Sequence, residues 1–135
     1  LALYVWDYAG RMDLMRYFWD AAVELDPQAA HLDEAQRFPI CRPEPLHELL
    51  VNQGLENVEV HAIDVDTGFR DFDDYWTPFL GGQGPTPGYV ASLGETERTE
   101  LRELIRSRLA PATDGSISMI ARAWAARGKC VQVHR

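Results

Sequence analysis

Apolar and polar positions alternate in blocks that change period along the chain. Leu1 to Trp6 is a near-continuous apolar run, the pattern of a strand covered on both faces. Asp7-Tyr8-Ala9-Gly10 breaks it. Arg11 to Leu25 then reads as a helix with two apolar stripes: Met12, Met15, Trp19, Ala22 and Val23 form one, and Leu14, Phe18, Ala21 and Leu25 the other. An apolar surface that wide predicts a helix that is buried or that also lines a pocket. Asp26-Pro27 ends it. Residues 26 to 42 read as irregular, with a short helix near Pro27 to Glu34. Pro43 to Gln53 predicts a second long helix, with Leu46, Leu49 and Leu50 as its stripe and Gly54 as its stop.

Val58 to Val65 predicts a strand whose first half alternates Val58, Val60 and Ala62 with Glu59 and His61. Asp71 to Leu80 is a short aromatic-rich helix. Gly81 to Gly88 is a loop by composition. Ser92 and Glu95 read as a capping-box pair opening a helix to about Leu109. Ser116 to Ala125 is the last strand, and 129 to 135 a loose tail. Three strands with covering helices predict an α/β layer, with one domain over residues 1 to 128. The long helical connection after the first strand suits a parallel crossover.

Composition narrows the function classes. The chain has 135 residues, a formal net charge of -8 and Lys129 as its only lysine. Nucleic-acid binders carry a basic footprint, so no nucleic-acid partner is expected; a small molecule suits an acidic surface better. No apolar run approaches a membrane span, so no membrane partner is expected. Cys41 and Cys130 are too few and too far apart for a disulfide framework or a zinc site, and a cytoplasmic location is the default. The chain opens inside an apolar strand pattern, which predicts a fragment of a larger sheet.

Candidate chemistry is sparse. Asp7 and Tyr8 lie just past the end of the first strand, where open α/β sheets bind ligands; the competing reading is a turn packed onto the next helix. The aromatics Tyr17, Phe18, Trp19, Phe69, Phe72, Tyr75, Trp76 and Phe79 read mainly as core. Tyr75 and Trp76, with polar handles beside a Gly/Pro loop, are the better pocket candidates. Asp71, Asp73 and Asp74 lack the spacing of a calcium loop and suit a helix N-terminus. His31, His47, His61 and His134 form no catalytic or metal pattern. Arg16 is placed either to hold an anionic group or to pair with Asp13 or Asp20 on adjacent turns.

A strand ending in Val5-Trp6-Asp7-Tyr8, then a helix, then Leu49-Leu50-Val51-Asn52-Gln53-Gly54-Leu55-Glu56-Asn57-Val58-Glu59-Val60, resembles the second half of class I S-adenosylmethionine-dependent methyltransferases. The closing Asp114-Gly115-Ser116-Ile117 to Arg122-Ala123-Trp124-Ala125 resembles their seventh strand. Phe69-Arg70-Asp71-Phe72-Asp73-Asp74-Tyr75-Trp76 with Pro78-Phe79 resembles the insertion before that strand in a bacterial subgroup similar to methyltransferase type 11. The resemblance covers residues 1 to 128. It implies the C-terminal part of a Rossmann-like sheet in which the last strand inserts antiparallel in the middle, in the order 1–6, 116–125, 58–65. It implies Trp6 and Asp7 at the cofactor S-adenosylmethionine, and Tyr8, Arg16, Trp19, Tyr75 and Trp76 at a small-molecule substrate. The family's glycine-rich cofactor loop has no counterpart here. Gly81-Gly82-Gln83-Gly84 follows a helical stretch and is followed by Pro85 and Pro87, so no helix N-terminus is expected there.

Two functions follow. One is the substrate-side part of a methyltransferase, inactive alone. The other is a non-enzymatic α/β module that binds a partner or oligomerises. In the first, the flank of the first strand is bare and apolar, which predicts self-association through that strand.

Overall fold

The computed structural model describes residues 1 to 132; Val133, His134 and Arg135, part of the expected tail, lie outside the described residues. The chain runs β1 (Ala2–Trp6), α1 (Asp13–Leu25), a 3-10 helix (Pro27–Leu32), α2 (Glu34–Arg37), α3 (Pro43–Asn52), β2 (Glu56–Phe69), α4 (Phe72–Trp76), a 3-10 helix (Thr77–Leu80), α5 (Pro85–Ser92), α6 (Glu95–Arg108) and β3 (Ile117–Lys129). The fold is α/β, with a three-stranded open sheet in the order β1-β3-β2. β3 lies antiparallel to both neighbours. The expected strand order is therefore the order found.

Two strands exceed their expected lengths. β2 continues past Val65 through Asp66, Thr67 and Gly68 to Phe69, each paired across to β3. Within the expected stretch, Asp64 is accommodated because Arg122 sits beside it on β3 and donates to both of its oxygens, at 2.7 and 2.9 Å. β3 runs on to Lys129, so the tail starts later than expected.

The two sheet faces differ. On one, α3 lays Leu46 and Leu50 over Leu3, Val5, Val60, Ala126 and Trp124. On the other, side chains two residues apart share a face, so Ile117 and Met119 align with Ala123 and Ala125. Ile117 and Met119 enter the main core with α1, α4, α5 and α6. The far end of that face is open: Tyr4 is 69% exposed, and Ile63 and Val65 are half-exposed. β1 is thus covered on one face only. This corrects the expectation of a strand buried on both, because no helix among the described residues reaches Tyr4.

Two local expectations fail for identifiable reasons. The Gly81–Gly88 segment is not all loop: α5 starts at Pro85, with Gly84 (φ 88°) before it. Proline is compatible with the first helical position, where its missing N–H costs nothing. Ser92 does not cap α6. It ends α5 instead, its hydroxyl donating to the Tyr89 carbonyl at 2.6 Å, and Gly94 precedes α6. A side chain on Gly94 would collide with the Glu97 carboxylate, which lies over that turn. Gly54 (φ 82°) does close α3, as expected.

Candidate functional site

The end of β1 is where chemistry gathers. Asp7 is buried, and it organises the turn into α1: its backbone carbonyl accepts from Gly10 and Met12, and its carboxylate accepts from the Arg11 amide at 2.9 Å. Gly10 packs against that carboxylate so closely that an added Cβ would lie 2.3 Å from Asp7 Oδ2. The chain therefore passes directly from strand to helix with Tyr8 half-buried beside it.

Arg16, one turn into α1, draws a second segment onto this turn. Its Nη1 donates to the Tyr8 carbonyl at 3.0 Å and to Asp33 Oδ1 at 2.9 Å; its Nη2 donates to Asp33 Oδ2 at 2.7 Å and to Asp20 Oδ1 at 2.9 Å. Of the two ion-pair partners weighed from sequence, Asp20 is present and Asp13 is not; Asp13 bonds Arg11 and the Ile120 amide instead. Asp33, the main partner, sits at the N-cap of α2, where it also accepts from the Ala35 amide. With four bonds to protein oxygens, Arg16 is committed to holding the 3-10 helix and α2 against the β1 turn.

Glu34 follows Asp33 and is turned inward, 7% exposed. Trp19 Nε1 donates to its Oε2 at 2.7 Å. The Tyr8 ring lies against Phe38, with centroids 6.1 Å apart. Burial, with the Glu34 carboxylate and the Cys41 thiol close by, pushes the Tyr8 phenol above its ordinary value. Burial likewise raises the Cys41 thiol. Beside this cluster opens a cleft of about 380 Å³, lined by Ala9, Gly10, Arg16, Asp33, Gln36 and Arg42 among others.

Of the expected substrate residues, Tyr8 and Arg16 are thus brought together at this turn; Trp19 reaches it only through its indole N–H to Glu34, its ring being wholly buried in the main core. Tyr75 and Trp76 do not reach it. Both are buried in the main core, where Tyr75 meets Phe79 (5.2 Å) and Phe69 (5.3 Å) and its hydroxyl donates to the Leu14 carbonyl at 2.7 Å. Their polar handles made them pocket candidates, but a buried hydroxyl is equally content with a helix carbonyl. Asp71, in the acid run before them, caps α4 by accepting from the Asp74 amide.

Trp6 and Asp7 do not form a cofactor floor. The Trp6 ring stands on the open sheet face, edge-on to Tyr4 at 6.4 Å, while Asp7 is buried in its own turn with one oxygen already bonded. S-adenosylmethionine needs acceptors for its ribose hydroxyls and room for adenine, and these two residues offer neither in one place. Asp33, Glu34, Phe38 and Cys41 were not singled out from sequence. Asp-Glu after an irregular stretch reads as a solvated surface, and only the partners Arg16 and Trp19 turn it inward.

No family model matches the chain, and no curated protein matches it. No helix among the described residues is long and apolar enough to cross a membrane.

Proposed function

We propose that this chain is the substrate-side part of an S-adenosylmethionine-dependent methyltransferase acting on a small molecule, and that alone it transfers no methyl group. The observation that carries the reading is the sheet order β1-β3-β2 with the last strand antiparallel in the middle. The site at the carboxyl end of β1 supports it, since open α/β sheets take ligands at that edge. Small-molecule sites combine an apolar wall with a few placed polar groups. Here the rings of Tyr8 and Phe38 supply apolar surface beside the turn, and Gln36 and Arg42 are polar groups lining the adjoining cleft. The described residues supply no cradle for the methyl donor, which accounts for the expected inactivity of the chain by itself.

Equilibrium dialysis with labelled S-adenosylmethionine tests this. The chain should retain none at micromolar concentration, whereas protein expressed from the whole reading frame should bind the donor and pass label to phenols or amines. Retention by the chain alone, or no transfer by the whole product, overturns the reading.

A second reading, a non-enzymatic α/β module that binds a partner or oligomerises, is favoured by one observation. β1 is an edge strand, and the open sheet face carries exposed Tyr4 and Trp6 on β1 with Ile63 and Val65 on β2. Such edges and patches pair with other chains. Under this reading self-association occurs and the donor is never bound, even by the whole product.

A further inference from the structure

The open face of the sheet is a trough with a charged end. Its rows across the ladder are Trp6–Ala123–Ile63, Tyr4–Ala125–His61 and Ala2–Arg127–Glu59, and directly opposed residues share a face. The middle strand thus sets alanine between bulky neighbours in two successive rows and a cation in the third. Ala123 is 6% exposed while Tyr4 is 69% exposed, so the floor lies below its wall. A cavity of about 540 Å³ opens over this face, with Ala2, Tyr4, His61, Ile63, Ala125 and Arg127 among its lining, a volume within the range of small-ligand sites. At the far end the start of α1 closes the trough, where Met12 bridges to Ala121.

The near end adjoins a second cavity of about 410 Å³, which shares Arg127 and adds Glu59 and Lys129. Two cations there face one carboxylate, in a chain whose net charge is -8. Arg127 Nε and Nη2 both reach the same Glu59 oxygen, at 2.6 and 2.5 Å, so Glu59 holds the guanidinium by one edge and Nη1 has no partner among the described residues. Lys129 makes no ion pair among those residues, and Glu56, across the ladder from it, lines neither cavity.

We propose that this trough binds a free medium-chain fatty acid, its alkyl chain along Ala125 and Ala123 and its carboxylate at Arg127 Nη1 and Lys129. Burial of the chain against the alanine floor drives binding, and the charge-assisted bond to the guanidinium fixes its direction. From Arg127 to Ala123 is four residues, about 13 Å of strand, which suits a chain of about ten carbons. Beyond Ala123 the chain would meet the start of α1. The trough lies toward the amino end of β1, away from the Asp7 turn, so this binding does not depend on the methyl-transfer reading.

Amide NMR titration of the full chain tests this, with octanoate, decanoate and dodecanoate kept below micelle formation, decylamine and decanol as controls, and no methyl donor present. Decanoate should shift the signals of Tyr4, His61, Ala125 and Arg127. Affinity should rise by up to about tenfold from octanoate to decanoate, the gain for two buried methylenes, and by less from decanoate to dodecanoate. Decylamine should bind at least tenfold more weakly than decanoate. Arg127→Gln changes an exposed side chain, and should weaken decanoate by about tenfold while leaving the weak binding of decanol unchanged. Ala125→Leu raises the floor and should weaken decanoate and decanol together. Equal binding of decanoate and decylamine, shifts confined to other parts of the chain, or unchanged decanoate binding in Arg127→Gln overturns the proposal. Binding to anionic lipid vesicles without binding of monomeric decanoate overturns it too, and would make the face a membrane contact.

Discussion

Arg16 and Asp33 meet fork to fork, the guanidinium nitrogens 2.9 and 2.7 Å from the two carboxylate oxygens, with both side chains largely withdrawn from solvent. That geometry is the strong form of an ion pair. It ties two segments seventeen positions apart, and everything at the β1 turn leans on it.

Removing one partner leaves the other charged and buried. Arg16→Met should therefore destabilise the fold by about 3 kcal/mol. Asp33→Asn should cost less, since the amide keeps its cap on the Ala35 amide. Urea denaturation reads both as a lower midpoint at unchanged slope. An Arg16→Met midpoint equal to the parent's would mean the pair contributes nothing.

Gly10 tests how tightly the turn is built. A methyl group there would sit 2.3 Å from Asp7 Oδ2 and 2.9 Å from its Cγ. Asp7 cannot retreat without giving up the Arg11 amide, which it accepts at 2.9 Å while buried. Gly10→Ala should cost about 1–3 kcal/mol, the range for overpacking, and should move the Tyr8 amide resonance. A neutral substitution would show that the turn gives way freely.

Tyr75→Phe separates core from pocket. Its hydroxyl donates to the Leu14 carbonyl at 2.7 Å in a buried setting, so its loss should cost about 1 kcal/mol. Burial also pushes this phenol far above its ordinary value. In a spectrophotometric alkaline titration the folded parent and Tyr75→Phe should therefore release the same number of protons until unfolding begins. A difference before unfolding would place the hydroxyl in contact with solvent.

Much of this fold is legible in the pattern of residues, and the gaps have physical causes. The apolar run at Leu1 to Trp6, the Gly54 stop and the alternation from Val58 are local signals, and the elements follow. The Asp66 to Phe69 extension of β2 is not local. An acid and a glycine argue against a strand until β3 is known to run opposite them, Asp66 across from Ile120 and Gly68 across from Ser118. The same holds at the site. Tyr8, Arg16 and Trp19 are visible because they adjoin a strand end or line a helix. Asp33 and Glu34 are invisible because a carboxylate turns inward only when a distant donor meets it, here Arg16 and Trp19. Tyr75 and Trp76 are core and not pocket for the converse reason: both rings are buried, and the Tyr75 hydroxyl finds its acceptor inside the core at the Leu14 carbonyl.

The β2–β3 ion pair gives the acid limb of stability a named contributor. Hydrogen bonds from Arg122 hold the Asp64 carboxyl below its ordinary value of 3.8, against the opposing effect of partial burial. A carboxylate with a lowered folded value adds stability at pH above its unfolded value, and that stability is lost as pH falls through the folded value. Asp64→Asn should therefore melt at a lower temperature than the parent near neutral pH, with the gap closing below about pH 4. The effect should be small and salt-sensitive, because the pair is solvent-exposed. A gap that persists unchanged to pH 2 would assign it to packing instead.

The free edge of β1 has a register of its own. Leu1 and Asp7 direct backbone bonds to Gly128 and Arg122 of β3, so by the alternation of an antiparallel ladder Ala2, Tyr4 and Trp6 turn their N–H and C=O groups outward. Among the described residues none of these three has a backbone partner outside its own strand ladder. A second copy placed antiparallel about a two-fold at Tyr4 would set Tyr4 opposite Tyr4, Ala2 opposite Trp6 and Leu3 opposite Val5. Every outward group would then be paired, with Ala2 facing Trp6. The segment has no charge, proline or bulge to prevent this. Sedimentation velocity should show a concentration-dependent dimer despite the net charge of -8. Tyr4→Pro removes the central outward N–H, and an outward N–H is the one place an edge strand tolerates proline. It should therefore yield a monomer with an unchanged fold. A parent that stays monomeric at high concentration, or a Tyr4→Pro chain that still dimerises, would mean that contacts other than this edge govern association.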